Sequence, residues 1–261
     1  MQLEISIVDA FTRNRFAGNQ AAVVLLDAWI DPGLMQDIAR ENNHSETAFV
    51  VRQPSGAFAI RWFSPLKEID FCGHATLASA HVIMARTGVD VVEFTAAAVG
   101  AVQARRVAGD LIEMAFPNLA PVVDEPPAAL VAGLAAPVRA WLRNRQAWFA
   151  VLDDEAAVRA IRPDLAQLRT LAPLDVVVTA PGDRHDFVSR YFWPANGGDE
   201  DPVTGSIHAG LAPYWAGQLG RGSLVALQAS PRSGELHCRV QGETVFVAGA
   251  CVDYLQGRIH V

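Results

Sequence analysis

No uninterrupted apolar run in the 261 residues approaches the roughly 20 that a membrane-spanning helix needs. The N-terminal stretch MQLEISIVDAFTRNRFAGN has no basic flank leading into an apolar segment either. The expectation is a cytoplasmic protein with no membrane partner. Clustered positive charge is also missing. The formal net charge is -7 and no group of Lys and Arg could neutralise a row of phosphates, which excludes nucleic acid as an expected partner. Cysteine is scarce: Cys72, Cys238 and Cys251 are three in number and widely spaced, so neither a disulfide framework nor a Cys-rich metal site is indicated. The sequence contains no G-x-G-x-x-G turn, no G-x-x-x-x-G-K-[ST] loop and no G-x-S-x-G elbow. Dinucleotide redox chemistry, nucleotide hydrolysis and serine hydrolysis lose their main support.

What is present is a folded, core-forming composition, with 51% hydrophobic and 19% charged residues, far from the polar mix of a disordered chain. Short runs with β-branched and aromatic bias recur at 3–11, 21–26, 47–51, 58–64 and 91–98. DPGLMQDIARENN at 31–43 predicts a helix with Asp31 as N-cap and Pro32 in the first helical position. The second half repeats the style. VRAWL, WFAVL, LDVVVTA, DFVSRYFW and TVFVAGACV read as strands, and EAAVRAIRP at 155–163 as a short helix.

Two segments depart from this pattern, GHATLASAHVIMARTG at 73–88 and GSIHAGLAPYWAGQLG at 205–220. Each reads as a helix that is apolar nearly all round, and a helix without a wet face must be enclosed by protein. The simplest enclosure is a curved sheet around each helix, with Gly88 and Gly220 as C-terminal stops. Pro213 predicts a kink or a late start in the second helix. The class is therefore α/β (α+β), with two pseudo-symmetric halves, each a curved sheet wrapped around a central apolar helix. The halves are expected at 1–117 and 118–261, with the last strand free to return to the first half. The boundary falls in FPNLAPVVDEPPAAL at 116–130.

The N-termini of these helices carry small residues whose backbone N–H groups have no intrahelical partner, an arrangement suited to a carboxylate. Gly73, His74 and Ala75 form one end, and Thr204, Gly205 and Ser206 the other. Glu46 stands at the head of an apolar strand, where a shielded carboxylate could both accept and donate a proton, although a solvated strand-end Glu is the blander alternative. His74 opens the first helix, and the positive helix end there should bias its imidazole to the neutral form. His81 and His208 lie deeper and read as core residues. Asp201 closes the acidic run Asp199-Glu200-Asp201. That run lacks the second ligand cluster a hard cation wants, so no metal is expected there. Asp201 can instead orient His74 or a substrate amine, or simply cap a helix.

Four blocks carry a family resemblance: DAFTRNRFAGNQAAVV at 9–24, NNHSETAFV at 42–50, FSPLKEIDFCGHATLASAH at 63–81 and RYFWPANGGDEDPVTGSIHAGLAPYW at 190–215. Together they closely resemble the PhzF-like phenazine-biosynthesis family. The resemblance implies a diaminopimelate-epimerase-like fold, a homodimer, no cofactor and a small carboxylate-bearing substrate. It also implies isomerisation by a proton shift with a glutamate as acid and base, here Glu46. The family's Gly-His pair maps to Gly73 and His74, its aspartate to Asp201 and its serine to Ser206. The chain departs from the family at Gln20, where proline is usual, at His44 in place of leucine and at Ile207 in place of alanine. His44 and Ile207 are expected near the ligand, so the phenazine precursor is not assumed as substrate. A rival on the same fold is a two-thiol racemase. FCGH at 71–74 resembles its MCGH block, but Val203 stands where the second thiol belongs. A non-catalytic protein that binds a carboxylate metabolite is the alternative from another class.

Overall fold

Branched and aromatic side chains draw the first two segments into β1 (Gln2–Ala10) and β2 (Asn19–Leu26), an antiparallel pair with Ala10 opposite Asn19. Gly18 closes the connection at φ +66°, where an added Cβ would lie 2.2 Å from the Ala10 carbonyl oxygen. Helix α1 (Pro32–Asn42) follows, capped by Asp31, whose carboxylate accepts from the Leu34 amide at 3.1 Å. β3 (Glu46–Arg52) runs parallel to β2 with Glu46 opposite Ala21, β4 (Phe58–Phe63) pairs antiparallel with β3, and the short β5 (Glu68–Ile69) pairs antiparallel with β4. After α2 (Gly73–Thr87), β6 (Val91–Ala96) lies parallel to β4. β7 (Gly100–Val107) and β8 (Leu111–Pro117) then extend the sheet antiparallel. The sequence reading passed over β7 and β8. They bury Ala104, Ile112 and Met114 while leaving most neighbours at least partly wet, and a one-sided strand carries too few apolar residues to stand out.

The next stretch comprises β9 (Val122–Val123), α3 (Ala128–Leu134), β10 (Ala140–Arg143), β11 (Ala147–Val151), α4 (Glu155–Ala160) and α5 (Leu165–Arg169). It continues with β12 (Asp175–Pro181), β13 (Phe187–Trp193), β14 (Gly198–Asp201), α6 (His208–Leu219), β15 (Ser223–Gln228), β16 (Gly234–Gln241) and β17 (Thr244–Gly249). The last strand, β18 (Cys251–His260), pairs antiparallel with β1. In this computed structural model, which describes residues 1–261, the chain forms two units. One is Met1–Ala115 with Ala248–Val261, the other Phe116–Val247. No helix is long and apolar enough to cross a membrane.

Within each unit the strands pair in the same order. In the first the succession β18, β1, β2, β3, β4, β6, β7 is antiparallel, antiparallel, parallel, antiparallel, parallel, antiparallel. In the second, β9, β10, β11, β12, β13, β15, β16 repeats that series. Each unit also places a short antiparallel strand, β5 or β14, on the fifth strand of that succession immediately before its apolar helix. The duplication illegible in residue identity is thus explicit in the hydrogen-bond ladder.

The two faces of each sheet are covered differently. In the first unit Ala22, Val24, Leu26, Phe49 and Phe63 pack with Met35, Ile38 and Ala39 of α1. The alternate residues of β2 and β3 turn the other way, toward α2. In the second, Ala150, Val176, Val178 and Val188 pack with residues of α3, α4 and α5. The opposite face holds α6, where the Phe187 and Trp215 rings stack at 5.8 Å and the Trp215 indole N–H donates to the Thr179 hydroxyl at 2.9 Å. Helix α2 is buried from Gly73 to Ala80, as its composition demands. Helix α6 corrects the expectation of an enclosed helix over 205–220. It begins at His208 after a turn, its burial beyond Ala212 is confined to Trp215, and Gly217, Gln218 and Leu219 are exposed. TVFVAGACV is likewise not one strand, since β17 ends at Gly249 and β18 starts at Cys251.

His208 is fully enclosed. Its Nδ1 lies 2.9 Å from the Thr204 carbonyl oxygen and its Nε2 has no partner, with the Phe187 ring centroid 5.8 Å away. Burial pulls its pKa down to about 4, against the smaller opposing influence of the Thr204 bond. His81 is half-buried rather than core, with Nε2 3.3 Å from Asp253 Oδ1 but out of line for a hydrogen bond.

Two outcomes follow. Gly18→Ala should lower the unfolding free energy by about 2 kcal/mol or more, through both the left-handed backbone and the contact with Ala10, read as a denaturant midpoint. An unchanged midpoint would refute the close approach. For His208 the folded pKa is depressed, so the unfolded chain binds the extra proton and stability falls as pH drops from about 6.5 to about 4. The loss is at most about 3 kcal/mol. His208→Gln should flatten that part of the stability–pH curve, and a curve identical to the parent's would contradict the assignment.

Candidate active site

Helix α2 starts at Gly73 with Cys72 in the cap position, and Cys72 offers no side-chain cap bond. The Cys72 carbonyl instead accepts from the Thr76 amide at 3.1 Å and the Thr76 hydroxyl at 2.6 Å, which pins the first turn. Parallel pairing of β3 with β2 brings Glu46 beside this turn. Glu46 and His74 are each 5% exposed and Cys72 7%, so the three groups meet with almost no solvent. Glu46 Oε2 lies 3.0 Å from His74 Nε2. The same Nε2 is 3.2 Å from the Gln20 carbonyl, which takes the N–H. Glu46 Oε2 therefore has a charge contact with the imidazole but no aligned donor.

On the other side of the ring, Nδ1 is 3.3 Å from Cys72 Sγ and 3.1 Å from the side-chain amide of the fully buried Asn19. The Ser45 hydroxyl donates to Asn19 Oδ1 at 3.0 Å and fixes that amide. Burial is the largest influence on His74 and pulls its pKa down, yet the Cys72 sulfur and the Glu46 carboxylate together raise it well above the ordinary imidazole value. The direction is opposite to the expected bias toward a neutral imidazole, and Cys72 first and Glu46 second set it against burial. Burial, then the Glu46 charge, pushes the Cys72 thiol up to about 11, so the sulfur is protonated at neutral pH.

In the second unit, Asp201, Thr204, Gly205 and Ser206 form the approach to α6. The Thr204 hydroxyl donates to the Asp201 carboxylate. The fully buried Gln228 holds this corner from β15, accepting from the Thr204 amide at 2.9 Å and donating to the Asp201 carbonyl at 2.8 Å. The turn closes with His208 N–H to Gly205 O at 3.2 Å and Ala209 N–H to Ser206 O at 3.1 Å, leaving the Gly205 and Ser206 amides outside the helical ladder. Val203, where a second thiol would stand, is completely buried. Glu200 is held by Arg190 through two bonds of 2.8 Å, so Glu200 as well as Asp201 is engaged internally.

Behind Ser206 lies a relay that sequence reading did not anticipate. Gln146 donates from Nε2 to Ser206 Oγ at 3.0 Å and to the Tyr191 oxygen at 3.2 Å, and the Tyr191 hydroxyl donates to Asp175 Oδ2. Asn196 donates to Asp175 Oδ1 at 2.7 Å. Burial raises the Asp175 pKa against these bonds, and burial followed by the Asp175 charge raises that of Tyr191. Asp175 opens β12 opposite Ala147, as Glu46 opens β3 opposite Ala21. A carboxylate thus stands at the same ladder position in both units. The only signal that could have revealed it is that register.

Each predicted site residue is accounted for within its own unit. Glu46, Gly73, His74 and Ala75 gather at the start of α2, and Asp201, Thr204, Gly205 and Ser206 at the start of α6. Asn19, Cys72, Gln146, Tyr191, Asp175 and Gln228 join them.

Comparison with known proteins gives these features a family. Residues 8–257 match the family model described as phenazine biosynthesis-like protein. Two proteins of Pseudomonas aeruginosa named as uncharacterized isomerases are 44% and 47% identical, with 100% of both chains covered in each case. A crystal structure of a PhzF-family phenazine biosynthesis protein from Enterococcus faecalis superposes with a TM-score of 0.95 at 39% identity over 100% of both chains. A hydroxyproline epimerase from Agrobacterium vitis, at 11% identity and TM-score 0.60 over 99% of this chain and 92% of that one, shares the fold. The architecture is the mixed α+β, diaminopimelate-epimerase-like one, and the chain belongs to the PhzF-like isomerase family of phenazine-biosynthesis proteins.

Proposed function

We propose that the protein is a cofactor-independent isomerase that shifts a proton on a small carboxylate-bearing substrate, with Glu46 as general acid and base. The observation that carries this reading is the state of the Glu46 carboxylate, buried to 5% exposure with one oxygen lacking an aligned donor. Leaving a buried charged acceptor unserved costs about 1–3 kcal/mol or more, a cost expected where the oxygen must meet a substrate hydrogen. In the forward step Glu46 takes a proton from a substrate carbon, and the electron pair left behind moves into the adjacent unsaturated system. The carboxylic acid then returns the proton to a different carbon, restoring Glu46. His74 holds the carboxylate in place through the 3.0 Å contact. Asp201 is assigned to orienting a substrate amine.

Roles in binding a substrate anion are assigned to Gly73 and Ala75 in the first unit and to Thr204, Gly205 and Ser206 in the second. Because Gln146 donates to Ser206 Oγ, the Ser206 oxygen is already an acceptor and its own hydrogen remains to donate to the anion. Two-thiol racemisation is disfavoured by the buried Val203 in place of the opposing cysteine. Because the chain departs from the family at His44 and Ile207, the phenazine precursor is not assumed as the substrate. The same reading makes the protein a cytoplasmic homodimer.

Thermal-shift screening of small amino- and hydroxy-carboxylates identifies the ligand, and two outcomes are then expected. In heavy water the parent protein incorporates deuterium into its substrate, and Glu46→Gln slows this by about 10²–10⁴-fold. Normal turnover by the Gln variant would sink the assignment, and tight binding without exchange would favour a metabolite-binding protein. Gln146→Met should raise KM roughly tenfold with kcat nearly unchanged, since it removes a support of ground-state and transition-state binding alike. A fall in kcat at constant KM would place Gln146 in the chemistry instead.

A further inference from the structure

We propose that Glu46, Cys72 and His74 form a site for one divalent cation of the zinc class, and that the cation shuts off proton transfer at Glu46. Binding stands on the geometry alone, whereas the inhibition rests on the proposed role of Glu46. One carboxylate oxygen, one sulfur and one imidazole nitrogen lie within 4.8 Å of one another. Oε2 to Nε2 is 3.0 Å and Sγ to Nε2 is 4.0 Å. Tetrahedral zinc, with bonds of about 2.0–2.3 Å, separates its ligand atoms by roughly 3.3–3.6 Å, so the observed spacings require side-chain shifts below about 1 Å for these two pairs.

An independent observation points to an occupant. Glu46 Oε2 is buried and lacks an aligned hydrogen-bond donor, an oxygen that a cation would complete. The ligand set selects the cation. A thiolate with an imidazole prefers zinc, cobalt or copper to magnesium or calcium, and three protein ligands leave a fourth position for water or substrate.

On binding, the Cys72 thiol proton and the His74 Nε2 proton leave to solvent, the sulfur and nitrogen lone pairs go to the cation, and no electron is transferred. The Glu46 oxygen that would receive the substrate proton is then engaged by metal. The sequence placed its only candidate cation ligands at the acidic run 199–201. The geometry points to the opening of α2 instead.

Cobalt(II) serves as the spectroscopic probe, titrated into metal-free full-length protein. One cobalt per chain should bind with a thiolate-to-cobalt charge-transfer band, and zinc should displace it. Cys72→Ser should abolish the band and weaken zinc binding at least tenfold, whereas Cys238→Ser should retain both. Should Cys72→Ser fail to fold, Glu46→Gln decides: a zinc affinity lowered about tenfold supports the site and an unchanged affinity overturns it. Absence of cobalt binding, or a band that survives Cys72→Ser, also overturns the site. One equivalent of zinc should stop deuterium exchange, and exchange that continues in the zinc-loaded protein overturns the inhibition. The cobalt titration needs no substrate, so its failure is distinguishable from failure of the isomerase reading.

Discussion

A carboxylate buried against an imidazole at the first turn of an apolar helix is the constraint around which the site is arranged. Removing Glu46 and His74 from water costs several kcal/mol per charge unless each is compensated. Here the compensation is incomplete by one oxygen. The imidazole gives its hydrogen to the Gln20 carbonyl and its other edge to Asn19 and Cys72, so Glu46 Oε2 is left beside the ring without an aligned donor. That imbalance suits a group that must accept a proton from a visiting molecule. It equally suits a cation, and so one geometric fact supports both the catalytic reading and the metal site.

Holding such a pair takes a rigid frame. Glu46 is fixed by the β2–β3 ladder and His74 by the pinned turn of α2, so neither depends on a mobile loop. The second unit reuses the plan with other chemistry. Asp175 occupies the ladder position of Glu46, but it is bonded by Tyr191 and Asn196, and the relay through Gln146 ends on Ser206. One carboxylate is left exposed to reaction and its counterpart is hydrogen-bonded into a support. Divergence after duplication here amounts to a change of partners at a conserved place in the sheet.

Much of this was legible in the residues, and the misses have a common cause. The apolar helices, the Asp31 cap and the strand headed by Glu46 all arise from local patterns, and local patterns can be read in order. Asn19, Gln146, Tyr191 and Gln228 were not legible, because each meets its partner through strand pairing across many residues. The surroundings of His74 were hidden in part for the same reason: the carboxylate beside its ring arrives from 28 positions earlier in the chain. β7 and β8 were overlooked because half of each strand faces water.

The most direct test of the central claim follows a single proton. With the substrate carrying deuterium at the carbon that is deprotonated, single turnovers in ordinary water report whether one shielded group carries the label across. If Glu46 is that group, a measurable fraction of product should hold deuterium at the newly protonated carbon, and Glu46→Gln should yield none. Labelled product formed equally well by Glu46→Gln would contradict the account.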